Sequence, residues 1–272
     1  MNIKIKYKAW MILLGLSIMF IGSGDAYHKT NELNLSGDLI RSDELGNVFL
    51  IKDNQLTKFN PSGEKTHTYS NLQYGDISFI DTHDPFKILI YYQAFGRIEF
   101  LDHTLSLASS SIDLSRLYAI PPTLVCASYQ GAFWVYDPIN FELIRINQSL
   151  EVNERSGNLQ QVTGYNLNPD YLLERDNYLY LNDPMTGILI FDKYGTFYKV
   201  IPVPGLHSFQ VFNNRIIYIT EDGINMYNTK LNELSSTALP WEGARSVSVC
   251  LSLSPQRLYM LGEEKLFFYE IK

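Results

Sequence analysis

Apolar positions along the chain come in short runs of about five residues, broken by polar turn-forming pairs, which is the rhythm of strands rather than helices. Six of these runs end in one phrase: an apolar residue, two intervening residues, a second apolar residue, then Asp, Asn or Glu. The phrases are Leu56-Phe59-Asn60, Ile98-Leu101-Asp102, Leu143-Ile146-Asn147, Ile188-Phe191-Asp192, Ile224-Tyr227-Asn228 and Leu266-Tyr269-Glu270. Their first residues lie 42, 45, 45, 36 and 42 positions apart. A period of this length is the signature of a repeat array.

Each unit divides into four strands. In the fourth, residues 170–174, 178–181, 188–191 and 196–201 read as strands, with turns at Asp176-Asn177, between Asn182 and Gly187, and between Asp192 and Gly195. The same three turns recur elsewhere. The first appears as Gly46-Asn47, Asp84-Pro85, Gln130-Gly131, Asn213-Asn214 and Ser254-Pro255. The second appears as Asp53-Asn54, Phe95-Gly96, Asp137-Pro138, Asp222-Gly223 and Glu263-Glu264. Asp, Asn, Pro and Gly at fixed offsets between β-branched and aromatic runs predict tight hairpins. The expected fold is all-β: a six-bladed β-propeller with four antiparallel strands per blade. The sixth unit ends after its third strand, so residues 28–35, extended and alternating through Leu33 and Leu35, are expected to supply its fourth strand and close the ring.

The first 26 residues fall outside this pattern. Lys4, Lys6 and Lys8 precede an apolar run over residues 9–22, and Gly24-Asp25-Ala26 offers small residues for cleavage after Ala26. The run is about 14 residues, short of the roughly 20 a spanning helix needs, so residues 1–26 read as a signal peptide and 27–272 as a single propeller domain. An uncleaved anchor is the alternative. The expected location is periplasmic, cell-envelope or extracellular. Without residues 1–26 the chain has 246 residues, with 19 basic and 28 acidic side chains, a net of −9. That balance repels phosphate backbones and argues against nucleic acid. Nor is there a basic cluster to hold an anionic membrane surface. Cys126 and Cys250 fall in the first strands of the third and sixth units, on opposite sides of a ring. They are expected to be buried free thiols rather than a disulfide.

The repeat grammar over residues 28–272 resembles six-bladed β-propellers, including uncharacterised secreted bacterial members. The Trp-Asp pair of WD40 repeats, the Gly-Gly pair of kelch repeats and the sialidase box are all missing from the sequence. Asp38, Asp76, Thr123, Asp170, His207 and Ser246, with Arg245 beside it, stand where the inner strands begin, at the mouth of the central channel. Similarity to lactonase- and phosphotriesterase-like propellers implies a metal there. Asp38, Asp76, Asp170 and His207 are the candidate ligands, and Ca²⁺ is the candidate ion. No other cofactor is expected. Turn chemistry alone also places Asp at such entries. It does so again in the second turns, where Asp53, Asp137, Asp183, Glu221, Asp222, Glu263 and Glu264 form a second acidic ring on the same face.

Two long crossings, residues 109–122 and 154–169, share that face and carry Tyr118, Tyr165, Gln160 and Gln161. Trp241 stands in another crossing. Long loops on a rigid scaffold are common working surfaces, and aromatic residues are common anchors. His83-Asp84 reads as a turn on the opposite face, and Tyr91, Tyr92 and Trp134 as packing between blades. No Gly-x-Ser-x-Gly elbow, zinc spacing or phosphate loop occurs. The expectation is therefore a non-enzymatic extracytoplasmic propeller that binds a protein or glycan partner through its loop-rich face, as a monomer or within an envelope assembly. The alternative is a metal-dependent hydrolase using the channel-mouth carboxylates.

Overall fold

The computed structural model describes residues 27–118, 120–220, 223–240, 248–253 and 256–272. Strand β1 (Tyr27–Asn34) comes first in the chain but belongs to the last sheet. Blade 1 is β2 (Leu39–Ser42), β3 (Val48–Lys52), β4 (Gln55–Phe59) and β5 (Lys65–Ser70). Blade 2 is β6 (Phe79–Asp81), β7 (Ile88–Tyr92), β8 (Arg97–Leu101) and β9 (Ile112–Asp113). Blade 3 is β10 (Leu124–Ala127), β11 (Phe133–Asp137), β12 (Glu142–Ile146) and β13 (Val152–Arg155). Blade 4 is β14 (Tyr171–Arg175), β15 (Tyr178–Asp183), β16 (Gly187–Asp192) and β17 (Phe197–Ile201). Blade 5 is β18 (Gln210–Phe212), β19 (Arg215–Thr220), β20 (Gly223–Asn228) and β21 (Glu233–Thr237). Blade 6 is β22 (Ser248–Leu253), β23 (Gln256–Leu261) and β24 (Lys265–Ile271), completed by β1. The chain is a six-bladed β-propeller of four-stranded antiparallel sheets.

The closing strand is the expected one, shifted by a residue. Leu33 pairs with Leu266 and Tyr27 with Ile271, with one bulge between Lys29 and Asn31. Leu33 and Leu35 pack against the cluster that includes Ile40, Leu261 and Phe268, so the closure is apolar as well as hydrogen-bonded.

The six phrases mark the third strands. In five of them the Asp or Asn turns the chain. Asn60, Asp102, Asn147 and Asp192 each accept the backbone N–H two and four residues on, at 2.8–3.0 Å. Asn228 accepts those of Lys230 and Leu231. This is the Asx-turn geometry that makes these residues turn formers. Glu270 departs from the pattern because blade 6 has no third turn to make. It stays in β24 and pairs with Arg257 at 2.8 Å.

Alternation of strand direction sorts the connections. Blade-to-blade crossings and second turns share one face, the crossing face. First and third turns share the other, the turn face. The core lies between the blades. Six apolar clusters occupy the six interfaces, one between each pair of neighbouring blades. Tyr91, Tyr92 and Trp134 are buried in them as expected. Cys126 and Cys250 are buried and free. Burial pushes both thiols up, Cys250 to about 12, so neither is a reactive thiolate.

Deleting residues 27–34 removes the whole β1 ladder and bares part of the interface between blades 6 and 1. The melting temperature is expected to fall by about 10 °C or more, with a broadened transition. A truncated chain that melts like the parent would show that β1 does not close the ring.

Candidate functional site

Side chains meet across the axis of the ring, around a small cavity of about 40 Å³ lined by Arg41, Asp81, Tyr171, Arg175 and Gln210 among others. Phe79 of blade 2 meets Tyr171 of blade 4 with ring centroids 5.9 Å apart, and Tyr171 meets Phe209 at 5.2 Å. The Arg41 guanidinium of blade 1 lies 5.8 Å from the Tyr171 centroid. Blades 1 and 4 and blades 2 and 4 are not neighbours, so these contacts are made across the channel. Polar contacts join them. Arg175 donates to Asp81 at 2.7 Å, again from blade 4 to blade 2, and Asp81 also accepts the Ala127 N–H of blade 3. Gln210 exchanges two hydrogen bonds with the Leu251 backbone, and Thr82 donates to the Ser42 carbonyl. Burial pushes the Asp81 carboxyl up, but the Arg175 charge and hydrogen bond outweigh it and the net shift is downward.

The four expected metal ligands do not gather. Asp38 is exposed and accepts the Asp53 N–H at 2.9 Å, while Asp76 is exposed before β6. Asp170 and His207 do meet, Nδ1 to Oδ2 at 2.6 Å, and Asp170 also accepts from Asn182. Among the described residues no group of three or more His, Cys, Asp or Glu side chains is placed to hold a metal ion. The physical reason is local: at these entries a carboxylate finds a nearby backbone or side-chain donor before it finds another carboxylate. Two members of the second acidic ring behave in the same way, while Asp53, Glu263 and Glu264 are exposed. Asp137 and Asp183 are buried and cap their own turns, Asp137 through Ile139 and Asn140 and Asp183 through Met185 and Thr186, and Asp183 also accepts the Asn168 N–H of the crossing before β14. Arg245, Trp241, Ser246, Glu221 and Asp222 lie outside the described residues.

The crossing face exposes apolar side chains among its charged and polar ones. Tyr118 is half-buried against the cluster between blades 2 and 3, and burial pushes its hydroxyl up to about 12, so it fills rather than anchors. Tyr165 is exposed. Gln160 and Gln161 are exposed on a short helix, α1 (Leu159–Thr163), which was not expected within a crossing. Asn158 caps it by accepting the Gln161 N–H. Around them stand Leu72, Phe95, Leu117, Ile120, Ile139, Phe141, Val162 and Met185, all exposed and all on crossings or second turns from blade 1 to blade 4. Turns and crossings lean on each other: Leu114 N–H donates to Gly96 O, and Leu159 N–H donates to Phe141 O at 2.7 Å. Phe141 is in the left-handed region, at φ 54°.

The turn face holds a groove of about 660 Å³, lined by the first hairpins of blades 1 to 4. His83 and Asp84 form a turn there, as expected, but they also line this groove. Beneath it runs a buried polar network. Glu174 accepts from Trp134 Nε1 at 2.6 Å. Arg145 donates to Ser128 Oγ and to the Tyr129 carbonyl, and its guanidinium lies 3.8 Å from the Tyr129 centroid. Burial raises the Glu174 carboxyl despite the donors from Ser128 and Trp134. Burial, with Arg175 beside it, lowers the His83 imidazole, which sits 3.3 Å from Glu44. Sequence reasoning missed this groove because its walls come from four blades and share no local motif.

No known family model matches the sequence, and no curated protein matches it. Solved structures match the fold. The Pan2 WD40 domain of Neurospora crassa aligns over 91% of this chain and 96% of its own, at 8% identity and a TM-score of 0.64. Virginiamycin B lyase from Staphylococcus aureus aligns over 90% and 100%, at 14% and 0.60. The extracellular domain of the putative one component system BT4673 from B. thetaiotaomicron aligns over 85% of this chain and 32% of its own, at 15% and 0.53. These likenesses establish the propeller and leave the chemistry to the residues.

Two expectations follow from the buried charges. Arg175→Met and Asp81→Leu each strand a buried partner and should cost about 3–5 kcal/mol in chemical denaturation, while the double variant recovers most of it. Additive losses would show that the pair does not act as a unit. The folded Glu174 pKa lies above its unfolded value, so its contribution is whole below about pH 4 and is lost as pH rises through the folded pKa. Glu174→Gln keeps an acceptor for Trp134. It should melt like the parent near pH 4 and above it at pH 8, with the gap growing with pH. A gap that is constant with pH would contradict the assignment.

Proposed function

We propose that the chain is a non-enzymatic, extracytoplasmic propeller that holds a protein partner on its crossing face. One observation carries the reading: the exposed apolar side chains of that face form an arc across blades 1 to 4, supported on turns and crossings that brace one another. Exposed apolar side chains gathered on one face mark an interaction site. Phe141 strengthens the case. A bulky residue at φ 54° is strained, and here the strain holds an aromatic ring in solvent, 45% exposed.

A protein suits this face better than a glycan. The arc is mostly aliphatic, and Tyr118, one of the aromatic candidates, is half-buried. The extracytoplasmic part of the reading rests on the basic, apolar and small-residue sequence of residues 1–26. No helix among the described residues is long and apolar enough to cross a membrane, and residues 1–26 are not among them. The hydrolase alternative retains the Asp170–His207 pair as its only assembled element among the described residues.

The test compares affinity capture by the parent with capture by Phe141→Gly and Ile120→Asp. Glycine relieves the strain at position 141 and removes the ring, so stability should hold or rise while partner recovery falls about tenfold. Tyr194→Ser, on the turn face, should capture like the parent. If Phe141→Gly and Ile120→Asp retain the parent's partner, the crossing face is not the binding face. Fusing residues 1–26 to a reporter active only after export tests the location, and a reporter that stays inactive would count against it.

A further inference from the structure

We propose that the turn-face groove formed by the first hairpins of blades 1 to 4 is a binding site for a neutral saccharide chain. It is separate from the crossing face, and its volume of about 660 Å³ is in the range small-ligand sites occupy. The rim mixes donors and acceptors. Glu44, Asp84 and Asp176 supply carboxylate oxygens, and Lys87, Gln130 and Asn177 supply N–H groups. Tyr129 and Phe86 are exposed, at 41% and 64%, and give flat apolar surface beside those groups. Ring-bearing ligands with many hydroxyls need this combination of apolar platform and alternating donors and acceptors.

The acidic rim alone would suit a cation equally well, but the aromatic rings decide against it. The Arg145 guanidinium already stacks on Tyr129 at 3.8 Å, and the Lys87 ammonium already lies over Phe100 at 4.8 Å. A ligand cation approaching Tyr129 would meet the Arg145 guanidinium already on that ring, and the Lys87 ammonium adds a second positive charge to the groove, whereas a neutral ring can pack on Phe86 and the exposed part of Tyr129. Lys87 lies against Gly131, where a Cβ would come within 2.1 Å of its Nζ, and Gly131 itself takes the left-handed conformation at φ 74°. Next to it, Gln130 is held at φ 56° with its side chain in solvent. Strain of this kind, offset by neither packing nor an Asn or Asp turn, is a mark of a functional position.

The experiment titrates the purified full chain with cellohexaose, xylohexaose, mannohexaose and maltohexaose, and with hexalysine as the cationic control, by calorimetry. At least one hexasaccharide should bind with Kd below about 1 mM, and hexalysine should not. Tyr129→Ala and Gln130→Gly should each weaken that binding about tenfold. Gln130→Gly should melt at or above the parent, because it relieves the left-handed strain, so its loss cannot be put down to unfolding. Phe141→Gly on the crossing face should bind the saccharide like the parent. Failure of all four sugars to bind, hexalysine binding in their place, or parent-like affinity in both groove variants would each overturn the proposal.

Discussion

The ring depends on one antiparallel ladder, the pairing of β1 with β24. A propeller blade has two apolar faces and cannot bury both by itself. In an open stack the first and last blades would each leave one face in water. Closure gives every blade two neighbours, and the six inter-blade clusters are the result. It also pairs β24, which would otherwise be an open edge rich in aromatic residues. The constraint extends to the sequence. Because the last outer strand comes from the start of the chain, Glu270 has no turn to make and becomes an ion-pair partner within a strand.

The fold was legible because its information is local and repeated. Asn60, Asp102, Asn147, Asp192 and Asn228 turn the chain with their own side chains, so the residue type and the structure it makes coincide. Alternation in residues 28–35 was enough to find the closing strand. The candidate sites were less legible, since they depend on contacts that no period encodes. Phe79 with Tyr171, Arg41 with Tyr171, and Arg175 with Asp81 join blades that are far apart in sequence and face each other across the axis. A repeat tells which strand is innermost, but it does not tell which side chain crosses to the far wall. That is why acidic residues at strand entries suggested a metal set, whereas the structure finds local donors for Asp38 and Asp170.

Contacts across the axis lie between the two faces. Aromatic rings, an arginine and a buried ion pair narrow the channel to a small cavity, with the crossing face at one end of the ring and the turn face at the other. Their chemistries differ accordingly. The crossing face exposes aliphatic side chains on braced loops. The turn face exposes polar groups around two aromatic rings, above a buried layer in which Arg145, Glu174, Trp134 and Ser128 satisfy one another. A fully satisfied polar layer holds its positions firmly, and that suits a site whose recognition depends on direction.

Backbone strain picks out one residue on each of these two surfaces. Among the described residues, ten non-glycine residues have positive φ. Asp53, Asp176, Asn177, Asn213, Asn214 and Asn232 are the types that tolerate this conformation. Leu105 is buried, and Leu150 packs against the cluster between blades 2 and 3, so apolar contact offsets their strain. Phe141 and Gln130 have neither excuse. Both are exposed, both would be less strained as glycine, and they lie in the two places that geometry singles out on independent grounds, the apolar arc and the groove. A fold built from such regular turns has glycine at many left-handed positions. Where it keeps a phenylalanine and a glutamine instead, neither residue type nor burial offsets the strain.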